Sequence, residues 1–167
     1  MAPEFVIRRV NKNDPDIDDV IIGIAIVNAK VDAEATDTIP SEEHALWRID
    51  RLVRESHYGI GIALKGSEVV GYWCGFQRDD ETFSSWGIYV DPDHRRQHIG
   101  EALKSDQLSR AKELGCIKSV TIVEIDNVQS IAMLQKMGAQ LILHKPGDKY
   151  YDVEFQLGNE SRSSEQR

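Results

Sequence analysis

The fold of this chain is decided by the stretch Trp86-Gly-Ile-Tyr-Val-Asp-Pro-Asp-His-Arg-Arg-Gln-His-Ile-Gly-Glu-Ala-Leu103. Its pattern predicts a buried strand that ends at Val90, a turn at Asp91-Pro92, a basic loop and then a helix. Loop N–H groups and the first turn of a helix converge on one point, where the helix dipole favours an anion. The stretch therefore predicts a phosphate-binding site, to which Arg95 and Arg96 add positive charge.

The composition is that of a globular protein with an acidic surface. The chain has 167 residues, of which 41% are hydrophobic and 29% charged, and its net charge is -8. This length suits one domain with a full core. The negative charge argues against general nucleic-acid binding, because such proteins need a basic surface to displace counterions. The two cysteines, Cys74 and Cys116, make no disulfide framework and suit a reducing compartment.

The sequence carries neither a secretory-signal pattern nor a bilayer span. The N-terminus lacks a positive region followed by an apolar core. The apolar run from Val20 to Val27 is too short to cross a membrane. We therefore predict a cytoplasmic protein with no membrane association.

Acidic residues concentrate in the N-terminal part of the sequence. Between Asn11 and Glu43 there are nine acids and two bases, a balance of 2 minus 9, or -7. Two interpretations stay open for this acidic segment. It is either a solvated face that aids solubility or a surface that attracts a cationic partner.

Periodicity and turn residues predict the element order β-α-α-β-β-β-α-β-α-β-β. The predicted strands span residues 5–10, 58–65, 68–78, 82–90, 119–125, 140–144 and 150–157, and the helices 17–31, 41–56, 100–114 and 127–137. Asp14-Pro15 is expected to open the first helix, since Asp caps and Pro is pre-set for the first position. The Ile and Val content of 17–31 leaves a strand open there. Gly115 and Gly138 are expected to end the third and fourth helices.

This order predicts an α/β fold, in detail an α+β mixed sheet. Three antiparallel strands precede a strand–helix–strand crossover, so helices must cover the faces of the sheet. One domain is predicted for residues 1–157, with a break at 36–40 between the first two helices. Residues 158–167 are polar and charged, which predicts a disordered tail.

The central motif and the element order together resemble the GCN5-related N-acetyltransferase (GNAT) superfamily over residues 5–157. Its pyrophosphate signature, Gln/Arg-x-x-Gly-x-Gly/Ala, aligns with residues 95–100. Arg95 and Gly100 match, and His98 stands in place of the first glycine. The resemblance implies an acyl-CoA N-acyltransferase fold, in which the central sheet is splayed and flanked by helices.

A second GNAT pattern, Asn-x-x-Ala-x-x-Leu-Tyr-x-x-x-Gly-Phe, aligns with residues 127–139. Asn127 and Gly138 match, whereas Leu134 replaces the tyrosine. The family role of this asparagine would be contact with the cofactor or a catalytic water. Asn127 is equally well explained as the cap of the helix that it begins.

The resemblance implies acetyl-CoA as the acyl-donor cosubstrate and implies no metal. The pyrophosphate would lie over the loop, and the pantetheine arm would insert where the fourth and fifth strands splay apart. The Val90 N–H would polarise the thioester carbonyl, as in an oxyanion hole. The implied cofactor contacts are Ile88, Tyr89, Val90, Arg95, Arg96, Gln97, His98, Ile99, Gly100, Glu101, Asn127 and Ser130.

The implied reaction is direct attack of an amine on the acetyl thioester in a ternary complex. Amines are protonated at neutral pH, so a base must first remove a proton. Glu124 is the leading candidate because it falls on the fifth strand beside the implied splay. His94, Tyr89 and Asp126 are weaker candidates, and Glu124 is otherwise a solvent-facing strand residue.

Leu134 stands where the family often has the tyrosine that protonates the leaving thiolate. A thiolate is a tolerable leaving group, with a conjugate-acid pKa of about 8.5, and water, Tyr150 or Tyr151 could supply the proton. Two functions stay open. One is N-acetylation of a primary amine in a small molecule or peptide, with a cationic acceptor and a homodimer as further hypotheses. The other is a non-catalytic acyl-CoA-binding or regulatory module.

Overall fold

The protein is described by a computed structural model over residues 4–35, 41–55 and 57–158. The elements are β1 (Val6–Arg9), α1 (Ile17–Ala35), α2 (Glu42–Glu55), β2 (Gly59–Lys65), β3 (Glu68–Gln77), β4 (Thr82–Val90), α3 (Ile99–Glu113), β5 (Lys118–Glu124), α4 (Val128–Lys136), β6 (Gln140–Ile142) and β7 (Tyr150–Gln156). The predicted order is confirmed, and the ambiguous first segment is a helix. The predicted break at 36–40 and tail residues 159–167 lie outside the described residues.

The seven strands form one mixed sheet in the order β1-β2-β3-β4-β5-β7-β6, flanked by helices. Strands β1 and β2 pair antiparallel, as do β2 and β3. β4 pairs with β5 in parallel from Thr82↔Lys118 to Ser84↔Val120. β7 is antiparallel to both β5 and β6. The predicted mixed α/β fold is therefore confirmed.

The described chain divides into two compact units. The first contains the described residues up to Gly75 together with Gly87–Gln107. Its apolar core joins α1 and α2 to β2 and β3, and burying each such side chain stabilises the fold by about 1.5–3 kcal/mol. The core residues are Ile17, Val20, Ile21, Ile24, Ala25, Val27, Ile49, Val53, Ile60, Ile62, Val69, Tyr72 and Cys74.

The second unit contains Phe76–Trp86 and the described residues from Leu108 onward. β5 and β7 pair along their whole length, and the inward-facing Val153 and Phe155 of β7 are buried. This alternation of buried and outward residues is what a strand with one covered face requires.

Glycines end α3 and α4, as predicted. Gly115 has a φ of 85° and Gly138 a φ of 97°, a left-handed conformation that costs glycine little. The N–H of Cys116 then reaches back to the carbonyl of Ala111 at 3.1 Å, which satisfies a carbonyl left over at the helix end.

The start of α1 differs from the prediction. Asp14 lies three residues before α1, and its carboxylate accepts the N–H of Asn11 at 2.9 Å in the preceding turn. The first helical bond runs from the Val20 N–H to the Asp16 carbonyl. Asp14-Pro15 therefore forms the turn that leads into α1, and the helix itself begins at Ile17.

Within the described residues, no helix is both long enough and apolar enough to cross a membrane.

Gly71 allows the start of α3 to pack tightly against β3 and the end of β4. A Cβ at Gly71 would lie 2.9 Å from the Tyr89 carbonyl oxygen, 3.0 Å from Leu103 Cδ1 and 3.3 Å from Ile99 Cγ2. Ile99 and Leu103 are only 1% and 0% exposed, so neither has room to move away. The missing side chain therefore sets the distance between this helix and the sheet.

Gly71→Ala is expected to lower the free energy of unfolding by about 1–3 kcal/mol, because the methyl overpacks against backbone. Gly59→Ala is the matched control, since it adds the same methyl to β2 with its nearest contact 3.2 Å away at the Trp73 ring. Urea denaturation measures both. A loss for Gly71→Ala no larger than that for Gly59→Ala contradicts the packing account.

Lys104 of α3 is a buried lysine in the first unit, with 1% of its surface exposed. Its Nζ donates to Gln107 Oε1 at 2.8 Å, and Gln107 Nε2 donates to the Cys74 carbonyl at 3.1 Å. Burial lowers the pKa of Lys104 to about 7. The folded protein therefore begins to release this proton near neutral pH, while the unfolded chain keeps it to a pKa of about 10.4.

Stability is consequently expected to rise with pH between about 7 and 10, because the unfolded chain binds more protons there. The contribution of Lys104 to this rise is at most about 1.4 kcal/mol per pH unit. Lys104→Met should remove it, whereas Lys112→Met, at an exposed lysine of the same helix, should retain it. Urea denaturation across this range measures the slope. An equal slope in Lys104→Met and the wild type would refute the assignment.

Candidate functional site

The end of β4 presents backbone N–H groups on the side away from β3. Asp91 donates its N–H to the Val70 carbonyl of β3 at 2.9 Å. Successive N–H groups of a paired strand point to alternate sides, so those of Ile88 and Val90 point away from β3. Both residues are half-buried. The Val90 N–H can therefore donate to a group lying alongside this end of β4.

Asp91 organises the turn that follows β4. Its side chain is 1% exposed, and Oδ1 accepts the Asp93 N–H at 2.9 Å, which caps the 3₁₀ turn Pro92–His94. Oδ2 accepts from Lys30 Nζ at 2.8 Å. Burial raises the pKa of Asp91, but the bonds from Lys30 and the Asp93 N–H outweigh burial and hold it below its usual range. Asp91 is thus ionised at neutral pH.

Two residues of α1 contact this turn and the loop after it. Lys30 Nζ lies 3.2 Å from Asp93 as well as 2.8 Å from Asp91, and the bond to Asp91 raises the pKa of Lys30. Glu34, one helical turn later, accepts from Arg95 Nη1 at 2.6 Å. Residues four apart lie on one face of a helix. The Arg95 guanidinium is therefore bound to α1, and its part in the loop includes this ion pair.

Arg96 and His98 both have a φ of 62°. This left-handed conformation is uncommon for side-chain-bearing residues, although His is among the more tolerant types. The positive φ at His98 accounts for the glycine that the family signature carries there. The His98 side chain is 81% exposed, so it extends into solvent while the backbone keeps its course. Alternating left-handed residues gather N–H groups into a concavity that binds anions.

α3 begins directly after this loop, at Ile99. The Ala102 N–H bonds to the His98 carbonyl at 3.1 Å. The N–H groups of Ile99 and Gly100 come earlier and have no acceptor within the helix. They add to the loop N–H groups at the positive end of the helix dipole. Glu101 lies in this first turn, with its carboxylate 3.5 Å from His98 Nδ1.

Gln97 is held by a residue of β2. Its Oε1 accepts from Lys65 Nζ at 3.0 Å, and the same Nζ lies 3.4 Å from the Glu4 carboxylate. Lys65 thereby brings a positive charge to the middle of the loop.

Asp91 also lies beside Glu68 and His94, and their polar atoms are all within 4.8 Å of one another. This grouping has the residue types of a metal site. The Lys30 ammonium already contacts the Asp91 carboxylate, however, so the positive charge at this corner comes from the chain. We therefore interpret it as an ion-pair cluster.

A buried network connects Tyr89 to α1. The Tyr89 ring stacks on Tyr72 with 4.7 Å between centroids. The Tyr72 hydroxyl donates to Asn28 Oδ1 at 2.7 Å, and Asn28 Nδ2 donates to Asp32 at 2.9 Å. Burial, then the charges of Cys74 and Asp32, raise the pKa of Tyr89. Its phenol is therefore protonated at neutral pH and suits a donor better than a base.

Much of the acidic segment is ion-paired within the first unit. Asp16 pairs with Arg8, Asp18 with Arg54, Glu34 with Arg95, and Asp32 with Arg48 at 3.8 Å. The charge of Asp32 contributes to the raised pKa of Tyr89 on β4. Its side chain is 33% exposed.

The predicted residues of the second unit have separate surroundings. Glu124 ends β5 as an exposed residue opposite Tyr150. Asn127 caps α4, because its Oδ1 accepts the Ser130 N–H at 3.2 Å, so the capping interpretation is confirmed. The Ser130 N–H is thereby bonded within the chain. Leu134 is 6% exposed and has no proton to give.

A family model places the chain among known proteins. The model described as "Acetyltransferase (GNAT) family" matches residues 18–139. The chain belongs to this family. The match runs from the start of α1 to just beyond α4 and includes the whole loop. The resemblance inferred from the two sequence motifs is confirmed.

Solved GNAT-like structures share the fold at low identity. yncA from Salmonella typhimurium, solved with its cofactor acetyl-CoA, is 21% identical, with 95% of this chain and 96% of that chain covered and a TM-score of 0.66. Ard1 from Thermoplasma volcanium is 17% identical, with coverage of 93% and 99% and a TM-score of 0.68. The paia N-acetyltransferase of Thermoplasma acidophilum, in complex with coenzyme A, is 16% identical, with coverage of 93% and 99% and a TM-score of 0.65. No curated protein matches the chain.

Sequence reasoning missed the side chains that hold the loop from outside it. Lys30, Glu34 and Lys65 lie 61, 61 and 32 residues before the residues that they bond. No local pattern predicts such contacts. The Asp-Pro pair predicts the turn at Asp91 and also carries the signal for its capping role.

His98→Val is expected to lower the free energy of unfolding by about 1–3 kcal/mol, because a β-branched residue is strained at positive φ. His98→Gly is the matched control and should change it by less than about 1 kcal/mol, since glycine adopts this φ freely. Thermal and urea denaturation measure both variants. Equal losses for Val and Gly would contradict the left-handed assignment.

Proposed function

We propose that this GNAT protein is an acetyl-CoA-dependent N-acetyltransferase that acts on a primary amine of a small molecule or peptide. The observation that carries the proposal is the loop in which Arg96 and His98 are left-handed and α3 begins at once. Complexes with acetyl-CoA and coenzyme A among the similar structures support the choice of cosubstrate. Acetyl-CoA supplies the activated acyl group when bound.

The residues of the loop fit a pyrophosphate. Main-chain N–H groups from Arg96 to Glu101 would bind its oxygens, with the helix dipole adding attraction. Lys65, held at Gln97, adds a positive charge at the loop. Arg95 contributes mainly by fixing the loop to Glu34. The departure from the signature at His98 is compatible with this role, since its side chain is exposed and its N–H belongs to the concavity.

Val90 would bind the thioester carbonyl through its main-chain N–H. This N–H points away from β3, as the Asp91–Val70 bond requires. A fixed donor stabilises charge that develops on the carbonyl oxygen and needs no reorganisation at that moment. Ile88 presents a second backbone edge on the same side, suited to an extended arm. Tyr89, between them, turns its ring toward Tyr72.

Glu124 is proposed as the base that takes the proton of the acceptor ammonium. It is exposed at the end of β5, and a general base can take a proton directly or through one water. The leaving thiolate needs a proton that Leu134 cannot supply. Water, Tyr150 or Tyr151 could supply it, and Tyr89 is a further protonated phenol.

Asp32 is the residue of the acidic segment that best suits a cationic acceptor. Asn28 Nδ2 donates to its carboxylate and is itself held by the Tyr72 hydroxyl, and the negative charge of Asp32 helps to raise the pKa of Tyr89. The long 3.8 Å contact with Arg48 is one that an ammonium group could displace. The acceptor would therefore approach β4 from the side of α1.

Incubation with acetyl-CoA and pools of polyamines, amino acids, aminoglycosides and lysine peptides tests the function. Release of free thiol that depends on an amine is the expected result. Binding of acetyl-CoA by calorimetry with no thiol release from any pool would instead support a non-catalytic acyl-CoA-binding module, which the buried Leu134 favours. Absence of acetyl-CoA binding would refute both.

Once an acceptor is identified, Asp32→Asn is expected to raise the acceptor KM about tenfold, because one charged hydrogen bond is lost. The KM for acetyl-CoA should stay unchanged. Asp19→Asn, an exposed acid of the same helix, is the matched control and should change neither. Steady-state kinetics at two salt concentrations measure the effect. A similar acceptor KM in both variants would remove Asp32 from the acceptor site.

Glu124→Gln is expected to lower kcat by about 10²–10⁴, the usual contribution of a general base. It should also remove the increase in kcat with pH that ionisation of the base produces. Asp126→Asn serves as the neighbouring carboxylate control. An unchanged pH–rate profile in Glu124→Gln would assign the proton transfer to another group.

A further inference from the structure

We infer that α1 positions the cofactor loop through two sets of ion pairs. Lys30 pairs with Asp91 and Asp93, and Glu34 pairs with Arg95; together these contacts are called the clasp. The inference rests on the proposed function, and it adds that binding at the loop is transmitted to α1. Lys30 and Glu34 would act through the loop and not by touching the substrate, so they are positioning residues.

The clasp is complementary in both charge and spacing. Along one face of α1 the charges read positive at Lys30 and negative one turn later at Glu34. Along the facing segment they read negative at Asp91 and Asp93 and then positive at Arg95. A shift of α1 by one helical turn would place like charges opposite each other. The clasp therefore fixes where this segment lies along the helix.

The two halves of the clasp differ in burial. The Asp91 side chain is 1% exposed, and a buried carboxylate that loses its partner is strongly disfavoured. The Glu34 and Arg95 side chains are 46% and 42% exposed, where ion pairs are weak and exchange readily with water. The Lys30 half thus holds the turn permanently, and the Glu34 half responds to what the loop binds.

The clasp holds the two backbone features that the proposed site uses. Asp91 follows Val90 directly, and its N–H and carboxylate are both bonded, so the Val90–Asp91 peptide, next to the one that carries the Val90 N–H, is held in place. Arg95 precedes the left-handed Arg96, so Glu34 restrains the residue just before the anion-binding concavity. An anion that orders this concavity orders Arg95 and, through it, the last turns of α1.

The same helix carries the network that leads to Asp32. Asp32 lies between Lys30 and Glu34 in the sequence of α1, and Asn28 lies two residues before Lys30. Asp32 bonds Asn28, Asn28 bonds Tyr72, and Tyr72 stacks on Tyr89. Ordering of α1 by the loop would therefore order the carboxylate proposed for the acceptor. Coupling of this kind is reciprocal, so the acceptor would also tighten cofactor binding.

Amide hydrogen exchange with and without coenzyme A tests the clasp without requiring turnover. In the wild type, coenzyme A should slow exchange in the loop and also, about tenfold, in α1 residues 30–35, a typical allosteric coupling. Glu34→Gln should keep the loop protection and lose that of α1. The charge exchange Glu34→Arg with Arg95→Glu should restore it.

The outcomes separate the two proposals. Loop protection without α1 protection in the wild type, or α1 protection that persists in Glu34→Gln, overturns the clasp and leaves the proposed function standing. No protection anywhere by coenzyme A overturns the proposed function itself.

Kinetics of Lys30 variants provide a second measurement. Lys30→Met is expected to lower kcat about tenfold or more with a smaller change in the KM for acetyl-CoA, because the donor at Val90 is displaced while the loop still binds. Lys30→Arg should restore most of kcat, since it keeps the charge on Asp91. Loss of kcat in Lys30→Arg as large as in Lys30→Met, with both variants folded, would contradict a positioning role.

Discussion

The buried carboxylate of Asp91 is the contact on which the candidate site depends. It accepts the N–H that shapes the 3₁₀ turn and the ammonium of Lys30, and its own N–H continues the pairing with β3. A carboxylate with this little exposure must be paired to be tolerated. The strand end, the turn and α1 are consequently fixed to one another before any ligand arrives.

The loop after this turn combines strain with attraction. Arg96 and His98 adopt a left-handed backbone just before α3, which costs about 1–3 kcal/mol per residue, and residues in this conformation can gather N–H groups that bind an anion. Such strain is found where a fold is built to bind. Acyl transfer has less structural support, because Leu134 is buried and has no acidic proton to give to the leaving thiolate. Binding therefore has more structural support than catalysis.

The elements that the sequence predicts well are those set by local rules. Alternation of apolar residues defines the strands, and Gly115 and Gly138 end their helices through φ values that glycine tolerates best. The phosphate loop follows from strand, loop and helix in order. Contacts of Lys30, Glu34 and Asp32 depend on how α1 packs, which no local pattern encodes. Asp14 shows the same limit, because its carboxylate bonds the Asn11 N–H of the preceding turn, three residues before α1 begins.

The central claim is that backbone N–H groups at the end of β4 and in the loop bind the cosubstrate. Amide ¹H–¹⁵N spectra recorded during titration with acetyl-CoA test it most directly. The largest shifts are expected for Val90 and residues 96–101, with Asp91 little changed because its bonds are internal. A complex that forms while the amides of Val90 and residues 96–101 stay unshifted would contradict the account.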